Sequence, residues 1–506
     1  MKFKKIFVSL FFLISLHFFY NYVGVYKQLH RRPCSVHHWA QCVRASVALN
    51  YYQTDMNFFK PKVHRALDGE GITGIEFPFI NYSVAILYKL FGFKEIYYRL
   101  FVLLTLILGL VCFHYLAYSF TKNYLLSILA VGAAYASPVL IYYSANFLPD
   151  TTSVGFVLAA WLFFFKYVKS NRKLHLITFF VLATLAILIK ATSVIVFGVV
   201  FGLIILDALK FFHKTRNNVP LFPQKILLLV LLFLGSGIIY AWYTYANWLS
   251  DHYHADAFLL GSMPLATKQQ TIDAWDFIKN HWVKLYYAKE TYNLIIGICI
   301  AFLLFFKQVS RLLFSITILT FIGSCFFIVL MFLQFKNHDY YFIPLMPSIF
   351  LLILTFADLV VRVADNYFPP LKFIMCFVLF FNVKECIRQC KKTYSYRFSN
   401  AFFAQNGTFI EYENLEPVLR ELGIKPTDLT FSGYDGTYCN SLYLMNQRGW
   451  TFDYNASFEV FDWFFKTKNI QYLVLSDSLT FNKTFPNNYA KNIIGHHQNL
   501  LIYKLK

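Results

Sequence analysis

Several positions along the chain join an ionisable side chain to the edge of an apolar run. Glu76 stands just ahead of Phe77-Pro78 and an aromatic-rich stretch. Asp150 follows Pro149, Lys190 closes a long apolar segment, and His338-Asp339 precedes Tyr340-Tyr341 at the start of another. An ionisable residue at membrane depth costs about 2.5–3.5 kcal/mol on insertion scales, so it is a functional candidate by default. Carboxylates, a histidine and cations beside a bilayer suit transfer from a lipid-linked phosphate. Lys or Arg can hold the phosphate and stabilise the leaving charge. A carboxylate or His can take the proton of an incoming hydroxyl. Each residue also has a plainer reading. Asp150 could cap a helix N-terminus. Lys190 could snorkel to the interface. His338 could be a satisfied polar group at a helix end, and Glu76 could pair with Arg65 or Arg99.

The elements that must position these residues are apolar helices. The 20-residue criterion gives about eleven spans, near 6–26, 97–119, 124–144, 152–168, 174–190, 193–212, 226–246, 292–306, 312–334, 340–362 and 371–385. The N-terminal run lacks a small-x-small cleavage site and reads as an uncleaved first span. "KFKK" at the start, "KYVKSNRK" at 166–173, the basic loop at 210–225 and "KQVSR" at 307–311 then fall on one side. The positive-inside rule makes that side the cytoplasm. Glu76, Asp150, Lys190 and His338 gather on the other side, with a first loop over 27–95 and the chain beyond 385. That tail carries strand-like runs such as "DLTFSG" and "IQYLVLSD". The expected architecture is therefore an all-α polytopic membrane domain over 1–385 and a small soluble α/β domain over 386–506.

Composition agrees. The 506 residues are 58% hydrophobic and only 14% charged, against about 45–50% and about 25% in soluble chains. The net charge of +20 would suggest nucleic acid in a soluble protein. Here the Lys and Arg residues sit in short loops, where they set topology, so no nucleic-acid partner is expected. The nine cysteines are scattered without CxxC or Cys/His metal spacing.

Four segments in order carry a family resemblance over roughly 1–380: "HHWAQCVRASVALNYY" (37–52), "IEFPFINYSVAILYKLFG" (75–92), "FLPDTTSVGF" (147–156) and "HDYYFIPLMP" (338–347). With this topology the chain resembles GT-C-fold membrane glycosyltransferases of the family 39 or ArnT-like type. The resemblance implies inverting transfer of a sugar from a polyprenyl-phosphate donor to a lipid, glycan or protein acceptor on the periplasmic or luminal face. It fits a multi-pass bacterial cytoplasmic-membrane protein in cell-envelope or lipopolysaccharide assembly. No nucleotide sugar is implied, and "SGYDG" at 432–436 lacks the dinucleotide-binding glycine spacing.

On that reading Glu76 or His38 serves as base or orients the acceptor hydroxyl, with Asp55 and Asp150 as further catalytic carboxylates. Asp150 organises helix ends or holds an acceptor hydroxyl. Lys190 and Arg99, with Tyr340, Tyr341 and His338, bind the carrier phosphate. His37, Trp39 and Gln41 line the substrate path. Glu76 and His338 could hold a divalent metal, although no tight spacing requires one. The chain departs from the family in one respect: relatives carry an early first-loop Asp, whereas residues 1–54 hold no Asp or Glu. A catalytically degenerate relative is thus one competing reading. A flippase or transporter of lipid-linked glycans is another; it predicts charges at mid-bilayer and paired broken helices.

Overall fold

A computed structural model describes the chain except residues 1, 68–69, 213–219, 256–263, 265–266, 407–408, 454–456, 477–480, 482–491 and 506. Its principal helices are α1 (Lys2–Val23), α2 (His38–Gln53), α3 (Phe79–Phe91), α4 (Ile96–Thr121), α5 (Tyr124–Tyr135), α6 (Asp150–Ser170), α7 (Lys173–Ile189) and α8 (Ile195–Ala208). They continue with α9 (Lys225–His252), α10 (Lys289–Leu304), α11 (Arg311–Leu330), α12 (Met346–Asn366), α13 (Leu371–Arg397), α14 (Leu415–Glu421) and α15 (Phe458–Thr467).

Every segment expected to span is helical. Among the described residues, six helices are long and apolar enough to cross a bilayer alone: Ile96–Thr121, Asp150–Ser170, Ala191–Ala208, Lys225–His252, Arg311–Leu330 and Asp339–Asn366. Lys268–Tyr286 and Lys289–Leu304 qualify as a pair bent by 91°, and Ser9–Val23, Phe79–Phe91, Tyr124–Tyr135 and Lys173–Ile189 are shorter apolar helices. The chain is a multi-pass membrane protein. Two expected spans differ in detail. The 124–144 segment breaks after α5, because Ser137 caps a second helix, Pro138–Tyr143, by accepting from the Leu140 N–H, and Pro138 has no N–H to continue the first. The 371–385 segment runs on as a helix to Arg397.

The chain divides into two compact units. One comprises 1–29, 100–242 and 261–396. Within it, α4 and α6 cross at glycines: a Cβ on Gly109 would lie 2.3 Å from the Gly155 carbonyl oxygen. Small residues of this kind let membrane helices approach closely, and here they seat the start of α6, which carries Asp150.

The other unit comprises 30–99, 243–260 and 397–506. Its sheet runs β2-β1-β3-β5-β4, with β1 (Thr430–Gly433) parallel to β2 (Gly449–Phe452) and β3 (Tyr472–Leu475). β5 (Leu500–Lys504) lies antiparallel to β3 and to β4 (Asn492–His497). Phe461 of α15 packs with Phe431, Trp450, Leu473 and Tyr503 of the strands. The first loop joins this core: Ala66 is part of it, and Arg65 bridges in parallel to Gly449. Segment 243–260 is fitted against the same loop. Gly74 has no room for a Cβ beside the Ala246 carbonyl, and Tyr245 Oη donates to Phe59 O at 2.7 Å. The expected boundary at 385 therefore falls inside α13, and the first loop folds with the C-terminal sheet. Sequence order hides this grouping, since strand pairing joins residues far apart in the chain.

Candidate active site

In the first unit, α6 opens with Asp150 and α7 closes with Lys190. Pro149 holds the N-cap position, so Asp150 is the acid of the first turn rather than the cap residue. Lys190 Nζ instead lies 2.8 Å from Asp150 Oδ1, with Asp150 0% and Lys190 12% exposed. Beyond the Lys190 ammonium on Oδ1, no hydrogen-bond donor among the described residues reaches the carboxylate, and Oδ2 is left unpaired. Lys190 takes an extended backbone, φ −147°, which ends α7 and turns its side chain inward. The ammonium also lies 5.5 Å and 5.3 Å from the ring centroids of Tyr340 and Tyr341, within cation–π range. A carboxylate and two aromatic faces thus fix one cation in a largely dry setting.

The neighbouring polar groups are ordered too. Tyr143 Oη donates to Asp339 Oδ1 at 2.7 Å, and both residues are buried. His338 Nδ1 lies 3.2 Å from Gln334 O, and its ring packs beside Tyr340 and Tyr341. This unit therefore brings together Asp150, Lys190, Tyr340, Tyr341 and His338. Sequence reasoning left Tyr143 out of the site. Its only signal was a tyrosine pair, Tyr142-Tyr143, ahead of the "FLPD" turn.

The second unit holds the remaining candidates. Arg44 Nη2 lies 2.7 Å from Glu76 Oε1, with 13% and 22% exposure. Arg44 is a partner that neither expected pairing, with Arg65 or with Arg99, names. Arg65 lies 4.8 Å from the Tyr438 ring centroid. Arg99 is buried and donates from Nε to Arg31 O at 2.9 Å and from Nη2 to Arg32 O at 3.0 Å. Those bonds tie Arg99 to the loop carbonyls ahead of α2. Gln41 is likewise occupied: Nε2 donates to Cys34 O and Val36 O, each at 2.9 Å. His37 precedes α2 in a left-handed conformation, φ 52°, and Trp39 is half-buried on that helix. His38 stands 5.3 Å from Phe409, and burial lowers its pKa despite the opposing field of Asp435.

Asp55 faces solvent and is tied to its own loop. It is 51% exposed, 3.0 Å from Lys62 Nζ, and accepts from the Asn57 N–H at 2.9 Å. Slight burial raises its pKa, but the Asn57 and Lys62 contacts outweigh that and lower it. Among the described residues no three His, Cys, Asp or Glu side chains form a metal-holding group.

Comparison with solved structures matches this architecture over nearly its whole length. The crystal structure of ArnT from Cupriavidus metallidurans in the apo state aligns at TM-score 0.60 and 12% identity, covering 99% of this chain and 98% of that one. The chain has the ArnT fold. The same protein bound to undecaprenyl phosphate aligns at TM-score 0.60 and 12% identity, covering 98% of each chain. Residues 76–240 match the family model of dolichyl-phosphate-mannose-protein mannosyltransferases. That match begins at Glu76 and includes Asp150 and Lys190, so the GT-C resemblance read from the ordered motifs holds. No curated protein sequence matches significantly.

Proposed function

We propose that the protein is an integral-membrane glycosyltransferase using a polyprenyl-phosphate-linked sugar, with a lipid, glycan or protein acceptor. The observation that carries this reading is the Asp150–Lys190 pair set against Tyr340 and Tyr341, at the end of apolar helices in an ArnT-fold chain. An undecaprenyl-phosphate-bound relative of this fold supports the carrier class.

The acceptor hydroxyl oxygen would attack the anomeric carbon with inversion. The bond from that carbon to the phosphate oxygen breaks, its electron pair stays on the phosphate, and polyprenyl phosphate leaves. Lys190 would stabilise the charge gathering on that oxygen, a preorganised electrostatic role in a water-poor setting. The unpaired Oδ2 of Asp150 suits a hydroxyl donor. Within the second unit, Glu76, held by Arg44, and after it His38, are the groups whose chemistry suits taking a proton from a hydroxyl. Periplasmic placement of this chemistry follows the basic-loop argument and belongs to the same proposal. The flippase reading fares less well, because Asp150 and Lys190 sit at helix ends.

Donor binding by purified protein in detergent tests the phosphate site. Lys190→Ala should weaken polyprenyl-phosphate binding at least tenfold, and Lys190→Arg should retain much of it. Unchanged affinity in folded Lys190→Ala protein would sink the assignment. Supplying polyprenyl-phosphate sugars to the intact enzyme tests the reaction class.

A further inference from the structure

Within the second unit, the first loop and the C-terminal region line a cavity of about 510 Å³, inside the size range of small-molecule sites. The proposed donor chemistry leaves it unused. Its first-loop wall is basic, with His30, Arg31, Arg32 and His38. Arg32 is already committed: Nη1 donates to Leu444 O at 2.7 Å, and Nε lies 3.5 Å from Glu95 Oε1. Arg31 differs. Its guanidinium contacts the Cys34 thiol and its Cζ lies 5.9 Å from the centroids of Phe398 and Phe403, and no salt bridge to a carboxylate is formed among the described residues.

The rest of the lining is chemically mixed. His38 Nε2 is buried without a hydrogen-bond partner, a condition that native structures rarely leave unfilled. Phe409 offers an aromatic surface beside it. Asn400 and Asn414 add neutral amides, and Glu413 supplies the one carboxylate. Arg31 presents the planar donor fork that matches phosphate or carboxylate oxygens. Amides, a histidine and an aromatic face suit hydroxyls and the C–H face of a sugar ring. The Glu413 carboxylate disfavours a polyanion and fits a ligand with one charged end.

We propose that this cavity binds a saccharide bearing a single anionic group, with Arg31 on the anion and His38, Asn400 and Asn414 on the hydroxyls. Only the identification of that saccharide with the acceptor rests on the glycosyltransferase reading.

The test uses full-length protein in detergent and calorimetric titration with glucose 6-phosphate, glucuronate, glucose and inorganic phosphate. At least one charged sugar should bind tenfold or more tightly than both glucose and phosphate, and the stronger of the two charged sugars identifies the anion. Arg31→Gln should remove that preference while the unfolding temperature stays put, and Asn414→Ala should weaken binding less. Lys190→Ala, which probes the donor site, should bind the charged sugar as wild type does, so the two readings fail separately. Equal binding of glucose, phosphate binding as tightly as the sugars, or a preference that survives Arg31→Gln would each overturn the proposal.

Discussion

The two compact units treat charge in different ways. In the helical unit, Lys190 Nζ lies 2.8 Å from the wholly buried carboxylate of Asp150. In the sheet-bearing unit, Glu76 and Arg44 form a pair of 2.7 Å in which the carboxylate keeps 22% of its surface in solvent. Two deeply buried groups of that unit, His64 and Glu95, are pushed toward the neutral form. Burial pushes His64 down to about 4, while Ser46, Asn50 and Asn446 hold its ring nitrogens. Burial also raises Glu95 toward neutrality, against the pull of Arg32 and Tyr443. A buried pair gains little net stability but costs a great deal to break on one side. Retaining one at the end of a membrane helix therefore suggests a requirement for charge at that point.

The largest expected effect comes from breaking the buried pair on one side. Lys190→Met should cost about 3–5 kcal/mol by stranding Asp150, read as the unfolding midpoint in detergent. Adding Asp150→Asn should recover much of that stability but none of the transfer activity. If the double variant recovers both, the pair is only structural.

Acidification probes the other unit. Between pH 6.5 and 4 the unfolded chain binds a proton at His64 that the folded chain refuses, so stability falls as pH drops through that window. The loss should be on the order of 3 kcal/mol at most. His64→Gln should flatten the pH profile; an unchanged slope would assign it to other groups.

Glu76→Gln should cost less in stability, about 1.5–3 kcal/mol for a charged hydrogen bond. Transfer should fall by about 10²–10⁴-fold if Glu76 is the base. Near-normal turnover in folded protein would remove it from the chemistry. At the bottom of the scale, Asp55→Asn should change stability by less than about 1 kcal/mol, as for exposed pairs, and leave transfer intact. The lowered pKa of Asp55 means that any contribution is present near neutral pH and disappears as pH falls through its folded-state value.

Much of this was legible in the chain itself. The spans are visible because hydrocarbon thickness demands about 20 apolar residues in a row, a local property of sequence. Asp150, Lys190 and Tyr340-Tyr341 stood out because a polar group at the end of such a run is conspicuous. Partners were harder to see. Arg44 sits inside the quoted first-loop motif, yet nothing local ties it to Glu76, 32 residues on. Arg99 looked available for phosphate, and only the fold shows two loop carbonyls occupying it.

The sequence by itself thus determined a polytopic helical protein, the places where charge meets apolar helix, and the order of motifs that points to the GT-C fold. Tertiary structure alone decided that Lys190 belongs to Asp150, that Glu76 belongs to Arg44, and that the first loop folds with the C-terminal sheet. Hydropathy is additive along the chain and can be read residue by residue. Ion pairing and strand pairing depend on which surfaces packing brings within about 3 Å of hydrogen-bond reach, and no linear pattern encodes that.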